Sequence, residues 1–349
     1  MNMNVKYRVL GVMSGTSLDG IDLAICTFTK NINWEFIIEK SKTFKYSKFW
    51  YNTLKNLHKK KKNRIREINI KYAKHLAKKI NLFLKNEKID FIACHGHTIF
   101  HQPENNFTLQ IGDGKTIANL TGVKTINNFR NLDIILNGQG APLVPIGDLY
   151  LFNQYKYCVN LGGFANISIK KNNSIIAFDI CPVNIKMNQI SKRLGLEFDM
   201  NGNIAKKGKI ITKLLKELNN LSYYKKKPPK SLSREWVEKF IDPLILKKYK
   251  SEDILHTFCE HIAIQIGRYL KGNSTLFTGG GVLNTFLMNR INHYSQSEIF
   301  IPNQQIINFK EALIFGFLGV LKLRNEINTL KSVTGALQDS CGGEINNPM

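Results

Sequence analysis

The sequence predicts an α/β chain in which one architectural plan occurs twice. Three observations point there. The apolar run Val9–Val12 breaks into a small polar turn, Ser14-Gly15-Thr16-Ser17-Leu18-Asp19-Gly20, and returns as Leu23–Phe28, a strand–turn–strand signal. Tyr157–Leu161, the turn Gly162-Gly163-Phe164-Ala165-Asn166 and the strand Ile167–Lys170 repeat the theme in the second half. Ser274–Phe277 then ends in Thr278-Gly279-Gly280-Gly281, with a helix expected directly after it. At 349 residues the chain exceeds one ordinary core and suits two domains.

In chain order, Trp34–Ile38 is a third strand candidate and Arg66–Lys85 carries helical apolar spacing. Asp90–His95 is expected as a buried strand ending in polar residues, and Lys115–Thr121 as a short helix. The Gly/Pro/Asn-rich stretch Leu136–Pro145 places a hinge, which gives a first domain of 1–135 plus 310–349 and a second of 136–309. Beyond Ile167–Lys170, Ile175–Phe178 is a further strand that Asp179 closes. Helices follow at Asn184–Arg193, Ile210–Asn219, Glu235–Ile241 and Glu252–Leu270. Glu298–Ile301 is one more strand, and Lys310–Asn325 a final apolar helix.

Hydrophobic residues make up 43% of the chain, enough for a substantial core and against bulk disorder. No apolar run reaches membrane-spanning length, and the first residues show no signal-peptide pattern. The six cysteines are scattered without CxxC spacing, as expected of free thiols in a cytoplasmic protein. The formal charge of +24 is compatible with a nucleic-acid face or an electrostatic funnel for an anion. The runs Lys59–Lys62 and Lys225–Lys227 are not interleaved with stacking aromatics, however, and the lysines are spread along the chain. A solvated, lysine-biased surface is therefore expected, with neither a nucleic-acid nor a membrane partner.

The first turn offers backbone N–H groups, hydroxyls and the carboxylates of Asp19 and Asp22. Such a concavity suits a phosphate, and oxygen donors suit Mg²⁺. An ordinary Asp-Gly hairpin turn is the rival reading. A P-loop is excluded: for Gly114-Lys115-Thr116 the first glycine position of that motif holds Leu109, so this stretch is a helix start. Gly279, Gly280 and Gly281 allow close backbone approach beside a helix N-terminus, or serve simply as a tight turn. Two such halves facing a cleft would clamp a nucleotide between two phosphate-binding hairpins. This is the duplicated plan of the actin-like (ribonuclease H-like) ATPases and sugar kinases.

Asp179 ends an apolar strand just before Pro182 and a helix. It can serve as a general base or as the N-cap of that helix, and the residues alone leave both open. Arg130 suits a planar anion through paired contacts, or is an exposed surface arginine. Glu311, at the opening of the last helix, can meet a ligand or compensate the helix dipole. His95, His97 and His101 form HxHxxxH without a suitably spaced carboxylate or cysteine, which favours cleft lining or hydrogen-bonded strand ends over zinc.

Taken in order, Met13–Asp22, Gly138-Gln139-Gly140-Ala141-Pro142-Leu143-Val144-Pro145, Asn160-Leu161-Gly162-Gly163-Phe164-Ala165-Asn166 and Thr278–Gly281 resemble the anhydro-N-acetylmuramic acid kinase family over nearly the whole chain. The resemblance implies an enzyme of cell-wall recycling and amino-sugar catabolism. It would convert 1,6-anhydro-N-acetylmuramic acid, ATP and water to N-acetylmuramic acid 6-phosphate and ADP, as a homodimer. It further implies that Asp179 removes a proton from the attacking water. ATP would meet Gly15, Thr16, Ser17, Leu18, Asp19, Gly20, Ile21, Asp22, Gly279, Gly280 and Gly281. Asp19 would hold Mg²⁺ through water, and Arg130 and Glu311 would bind the sugar. Departures from the family pattern are Asn128 before Phe129-Arg130 where relatives carry Asp, His97 where they often have Gln, and Asp179-Ile180-Cys181-Pro182 where they have Asp-Thr-Gly-Pro. These departures keep an actin-like kinase for another sugar or small acid as the alternative.

Overall fold

The computed structural model describes residues 5–15, 17–172 and 174–349; Thr16 of the proposed ATP segment lies outside the described residues. The chain forms two compact units, residues 1–151 with 309–349 and residues 152–308. The boundary thus falls at 151/152 and 308/309, where the sequence placed it at 135/136 and 309/310. Residues 136–151 stay in the first unit for physical reasons. The Asp133 carboxylate accepts the Gly140 N–H at 2.7 Å, Asp148 pairs with Lys310 at 2.7 Å, and a Cβ at Gly147 would lie 2.5 Å from Ile314.

The first unit holds β1 (Val5–Met13), β2 (Ile21–Lys30), β3 (Trp34–Phe44), α1 (Lys48–Asn56), α2 (Lys62–Leu84), β4 (Phe91–Cys94), β5 (His97–Gln102), β6 (Phe107–Ile111), α3 (Gly114–Thr121), β7 (Thr125–Asn127), α4 (Asn131–Ile135) and α5 (Pro145–Leu151). The second holds β8 (Tyr157–Leu161), β9 (Phe164–Lys171), β10 (Ser174–Pro182), α6 (Asn184–Lys192), α7 (Thr212–Asn219), α8 (Arg234–Phe240), α9 (Ser251–Gly267), β11 (Lys271–Thr278), α10 (Thr285–Tyr294) and β12 (Gln296–Phe300). α11 (Gln304–Leu323) leads back into the first unit, which closes with α12 (Lys331–Thr334) and β13 (Glu344–Asn346).

Sheet order shows the duplication directly. The first sheet runs β3-β2-β1-β4-β7, with β13 added at the edge, and the second runs β10-β9-β8-β11-β12. In each, three antiparallel strands are followed by two parallel strands on the other side of the first. This shared order is the actin-like, ribonuclease H-like arrangement expected from the sequence. β5 and β6 form a separate two-stranded ribbon that periodicity did not disclose.

Period-2 alternation explains how the first sheet is covered. Leu10 and Val12 of β1 join the core with Ile68, Tyr72, Leu76 and Ile80 of α2, each such side chain contributing about 1.5–3 kcal/mol on burial. At the intervening Gly11, α11 crosses so closely that a Cβ would lie 1.9 Å from the Ala312 carbonyl oxygen. Gly114 opens α3, whose N-cap Asp113 accepts the Thr116 N–H at 2.8 Å, so Gly114-Lys115-Thr116 is a helix start as expected. In the second unit Val159, Leu161 and Phe277 of the sheet pack with Phe258, Ile262 and Ile266 of α9.

Candidate active site

The β1–β2 turn is tied down at its root. Ser14 is buried, and its hydroxyl donates to the Gly96 carbonyl at 2.8 Å. The Leu18 N–H closes a tight turn on the Gly15 carbonyl at 3.3 Å, with Leu18 at φ 62. Ser17 and Asp19 face solvent, whereas Ile21 is buried and can offer only its backbone. Asp22 belongs to β2, beyond the turn, and its carboxylate accepts the Thr43 hydroxyl at 2.5 Å. Burial raises the Asp22 proton affinity; the Thr43 bond opposes this, and the charge of Asp19 adds to it. Gly20 is forced: a Cβ there would lie 2.7 Å from the Phe44 carbonyl oxygen.

The Gly96 carbonyl that receives Ser14 also receives His95 Nδ1 at 2.9 Å. A carbonyl only accepts, so Nδ1 carries the proton and Nε2 presents a lone pair. That lone pair takes Arg130 Nε at 3.1 Å and Nη2 at 2.9 Å, while Arg130 Nη1 donates to the Gly140 carbonyl at 2.6 Å. Burial first, then the Arg130 charge, push the His95 imidazole well below its usual range, so it stays neutral. Arg130 is half-buried and is not a surface arginine; burial lowers it to about 10, against the pull of Glu311, and it remains a cation at neutral pH. Three of its N–H groups are fixed in the plane of the guanidinium, and the remaining two are available to an anion.

Glu311 lies within α11, seven residues after its first residue Gln304, and so cannot compensate the helix N-terminus as the sequence allowed. Its side chain is solvent-accessible but recessed among protein atoms. That crowding raises its carboxyl, Arg130 lowers it, and Asp22 raises it further. Arg130, Glu311, Asp22 and Asp19 are thus linked by mutual fields in one unit. The Gly138–Pro145 stretch serves this cluster. Asp133, 1% exposed, accepts the Gly140 N–H at 2.7 Å and the Thr334 hydroxyl at 2.7 Å, and a Cβ at Gly138 would lie 2.1 Å from it. That clamp aims the Gly140 carbonyl at Arg130.

His95, His97 and His101 do not converge on a metal, and among the described residues no group of three or more His, Cys, Asp or Glu could hold one. His95 sits in the β4–β5 junction, and His97 is buried in β5 beside Tyr72, lowered by burial to about 4. His101 is exposed and contacts the Thr108 hydroxyl at 3.2 Å. An Mg²⁺ ion needs less from protein, since it keeps waters and is held by one or two carboxylates plus phosphate oxygens. Solvent-facing Asp19 beside Asp22 fits that demand.

In the second unit, β10 runs past Asp179 to Pro182, so the aspartate does not close the strand. The β9–β10 register shifts between Asp179 and Cys181, a bulge of the kind that re-aims a side chain. Asp179 is not a helix cap: α6 begins at Asn184, with Val183 at the N-cap and no side-chain bond. Asp179 Oδ2 accepts the Leu232 N–H at 2.9 Å, and among the described residues no hydrogen bond reaches Oδ1. Burial raises the carboxyl above the ordinary aspartate range, and the Leu232 N–H offsets part of that. A half-exposed carboxylate with one oxygen held and the other open has the form of a general base.

Gly279 and Gly281 approach the end of β8, where Cβ atoms would lie 2.6 Å from Asn160 Oδ1 and 2.7 Å from Leu161 Cβ respectively. Gly280 has nothing within 4 Å of a Cβ. The expected helix does not start directly after them. A 3₁₀ turn, Gly280–Leu283, intervenes, and α10 starts at Thr285 under Asn284, whose side chain accepts the Leu287 N–H at 2.9 Å. The three glycines therefore offer backbone and space, not the N-terminus of α10.

A family model described as "Anhydro-N-acetylmuramic acid kinase" matches residues 7–348. The chain belongs to the anhydro-N-acetylmuramic acid kinase family. Relatives bearing that name include one from Francisella tularensis subsp. novicida, 35% identical over 98% of this chain and 98% of its own. Another, from Bacillus cereus, is 33% identical over 97% of this chain and 99% of its own, and one from Mannheimia succiniciproducens is 32% identical over 98% and 99%.

Within this member of the family, sequence reasoning missed His95 as the partner of Arg130 and Asp133 as the clamp of the glycine loop. A signal for Asp133 existed, a lone acid inside the apolar run Leu132–Ile135. His95 had no such marker. Asn128, where the family pattern has Asp, adopts φ 57 and donates to Glu344 Oε1 at 2.5 Å. In this chain the amide and Glu344 are paired, and a second carboxylate at 128 would face the first.

Proposed function

We propose that the chain is an ATP-dependent kinase that converts 1,6-anhydro-N-acetylmuramic acid and water to N-acetylmuramic acid 6-phosphate, with ADP and a proton released. The observation that carries this reading, beyond the family, is the Arg130 fork. It is held by His95 and the Gly140 carbonyl and keeps two N–H groups for an anion, as the carboxylate of an acidic sugar requires. Glu311 faces the same region and accepts sugar hydroxyls.

Asp179 takes a proton from water through its open oxygen, the water oxygen bonds to the anomeric carbon, and the bond from that carbon to the bridging oxygen breaks. The released O6 bonds to the γ-phosphorus, and ADP leaves. Backbone and hydroxyls of Gly15, Thr16, Ser17, Leu18, Asp19, Gly20, Ile21 and Asp22 receive the phosphates, and Gly279, Gly280 and Gly281 receive the nucleoside side. Asp19 would hold Mg²⁺ through water, and the ion would supply charge neutralisation on the phosphates. We assign the same protein to the cytoplasm as a homodimer in cell-wall recycling. Supporting the compartment, all six cysteines are free thiols, and among the described residues no helix is long and apolar enough to cross a membrane.

The test is mass spectrometry after incubation with the anhydro sugar, ATP and Mg²⁺ in ¹⁸O-labelled water. One heavy oxygen in a phosphorylated product establishes ring opening by water together with phosphoryl transfer. A product phosphorylated without ¹⁸O, or no product from folded, ATP-binding protein, overturns it.

A further inference from the structure

We propose that Lys230 is a positioning residue for Asp179: its side chain anchors the segment 230–232, whose backbone holds the Asp179 carboxylate in place. The proposal rests on Asp179 being the base. The segment grips that residue twice. The Lys230 carbonyl accepts the Asp179 N–H at 3.2 Å, and the Leu232 N–H donates to Asp179 Oδ2 at 2.9 Å. A third bond, from the Tyr223 hydroxyl to the Asp179 carbonyl at 2.6 Å, completes the frame.

Residues 226–233 form neither helix nor strand, so the sheet and helices do not by themselves fix them. The Lys230 side chain does, together with Leu232 packed against the core. Its Nζ lies 4.7 Å from the Tyr223 ring centroid, 5.7 Å from Phe178 and 5.8 Å from Tyr269. It also donates to the Tyr269 hydroxyl at 3.2 Å and the Tyr223 carbonyl at 3.4 Å. Each cation–ring contact is a modest attraction, but three rings and two acceptors converge on one ammonium group. They bind the loop to β10, to the 223 turn and to the chain just past α9.

The titratable groups around this place are Tyr223, Cys181 and Lys230, with Tyr269 and Arg268 beyond. Burial, then the Asp179 charge, raises Tyr223 and Cys181, which stay neutral. Burial lowers Lys230, Cys181 opposes this, and Arg268 lowers it further. The Leu232 N–H therefore remains the contact that favours an ionised Asp179. If the anchor loosens, that bond weakens, protonation of Asp179 becomes easier, and the acid limb of activity moves to higher pH.

The experiment is the pH profile of kcat/KM for the anhydro sugar, which reports the free enzyme's base. It compares wild type with Lys230→Met, Lys230→Arg and Tyr269→Phe, with Asp179→Asn as reference. Lys230→Met is expected to move the acid limb up by about one pH unit, the worth of roughly one N–H bond to a carboxylate, costing about tenfold in rate on the acid side. Lys230→Arg is expected to restore the profile. Tyr269→Phe, which leaves the lysine charge in place, is expected to shift the limb in the same direction. A folded Lys230→Met enzyme whose acid limb stays at the wild-type pH overturns the proposal. If Lys230→Met does not fold, an unmoved limb in Tyr269→Phe overturns it. Wild-type turnover in Asp179→Asn would instead overturn the base assignment itself, so the two failures are distinguishable.

Discussion

Replacing Asp179 with Asn separates the chemistry of this residue from its structural part. Oδ2 accepts the Leu232 N–H at 2.9 Å, and an amide oxygen in that position accepts it equally. The backbone bonds to Lys230 and Tyr223 do not involve the side chain. The amide NH₂ then occupies the position of the open oxygen, which can no longer take a proton. General-base catalysis is worth about 10²- to 10⁴-fold, so kcat should fall by that range while ATP affinity stays unchanged. Stability should move the other way. The folded-state pKa of Asp179 is raised, so the native state binds more protons than the unfolded state just above the ordinary aspartate value. Wild-type stability is therefore lost as pH rises through that window, and the ionised carboxylate is a burden at pH 7. Asn carries no such burden, so the variant's thermal midpoint at pH 7 should equal or exceed that of wild type. The assays are coupled ADP release, ATP titration and thermal unfolding at pH 7. Normal turnover in the variant, or turnover and midpoint falling together, would refute the assignment of Asp179 as a base on a preformed frame.

Other perturbations test the rest of the site. His95→Ala removes the acceptor of Arg130 Nε and Nη2, and at about 1–2 kcal/mol for such a contact should raise KM for the sugar some 5- to 30-fold with a smaller change in kcat, measured by initial rates. Gly279 holds φ 84 against Asn160 and Leu161, so Gly279→Ala should destabilise by at least about 1–2 kcal/mol. Gly280→Ala, with open space around it, should leave the thermal midpoint alone and weaken ATP binding if nucleotide approaches that backbone. Asn128→Asp sets a carboxylate against Glu344 and should cost about 1 kcal/mol at pH 7, less at pH 4, by urea unfolding.

Much of this architecture was legible because it is local. The β1–β2 and β8–β9 hairpins follow from apolar runs broken by glycine turns, and each opens a sheet of the same order. Arg130 and Glu311 were both flagged singly, and the fold brings their charges within mutual influence although 181 positions separate them (311 − 130). What the sequence hid was pairing over distance. Nothing around His95 marks it as the acceptor of Arg130, because the bond depends on the tautomer that the Gly96 carbonyl selects. The bulge at Asp179 and the strap at Leu232 are likewise register and loop effects without periodicity. The boundary between the compact units falls beyond the glycine- and proline-rich stretch, because glycine and proline signal a turn but not what the turn packs on. Asp133 folds the stretch from Gly138 onto the first unit.

The two units share a strand order but not a division of chemistry, and the turns explain why. Between β1 and β2 the loop spans residues 14–20, long enough to present Asp19 to solvent while Ser14 anchors its root on Gly96. Between β8 and β9 it is Gly162-Gly163 alone. Those two carbonyls accept the N–H groups of Asn184, Val183 and Ile185 at 2.8–3.2 Å, so the second turn is spent on starting α6. A two-glycine turn has no side chain to bear a metal or a proton. In the second unit the carboxylate proposed as the base therefore comes from elsewhere. It comes from the third strand, where the bulge in β10 turns Asp179 out and the Leu232 N–H fixes one of its oxygens. In the first unit the corresponding strand, β3, delivers Thr43 to hold Asp22. On the proposed roles, one duplicated frame carries an anion-receiving turn in one copy and a proton-accepting strand in the other. The two copies cannot exchange these proposed roles, because the first depends on a loop length that only it has and the second on the β10 bulge and the Leu232 N–H.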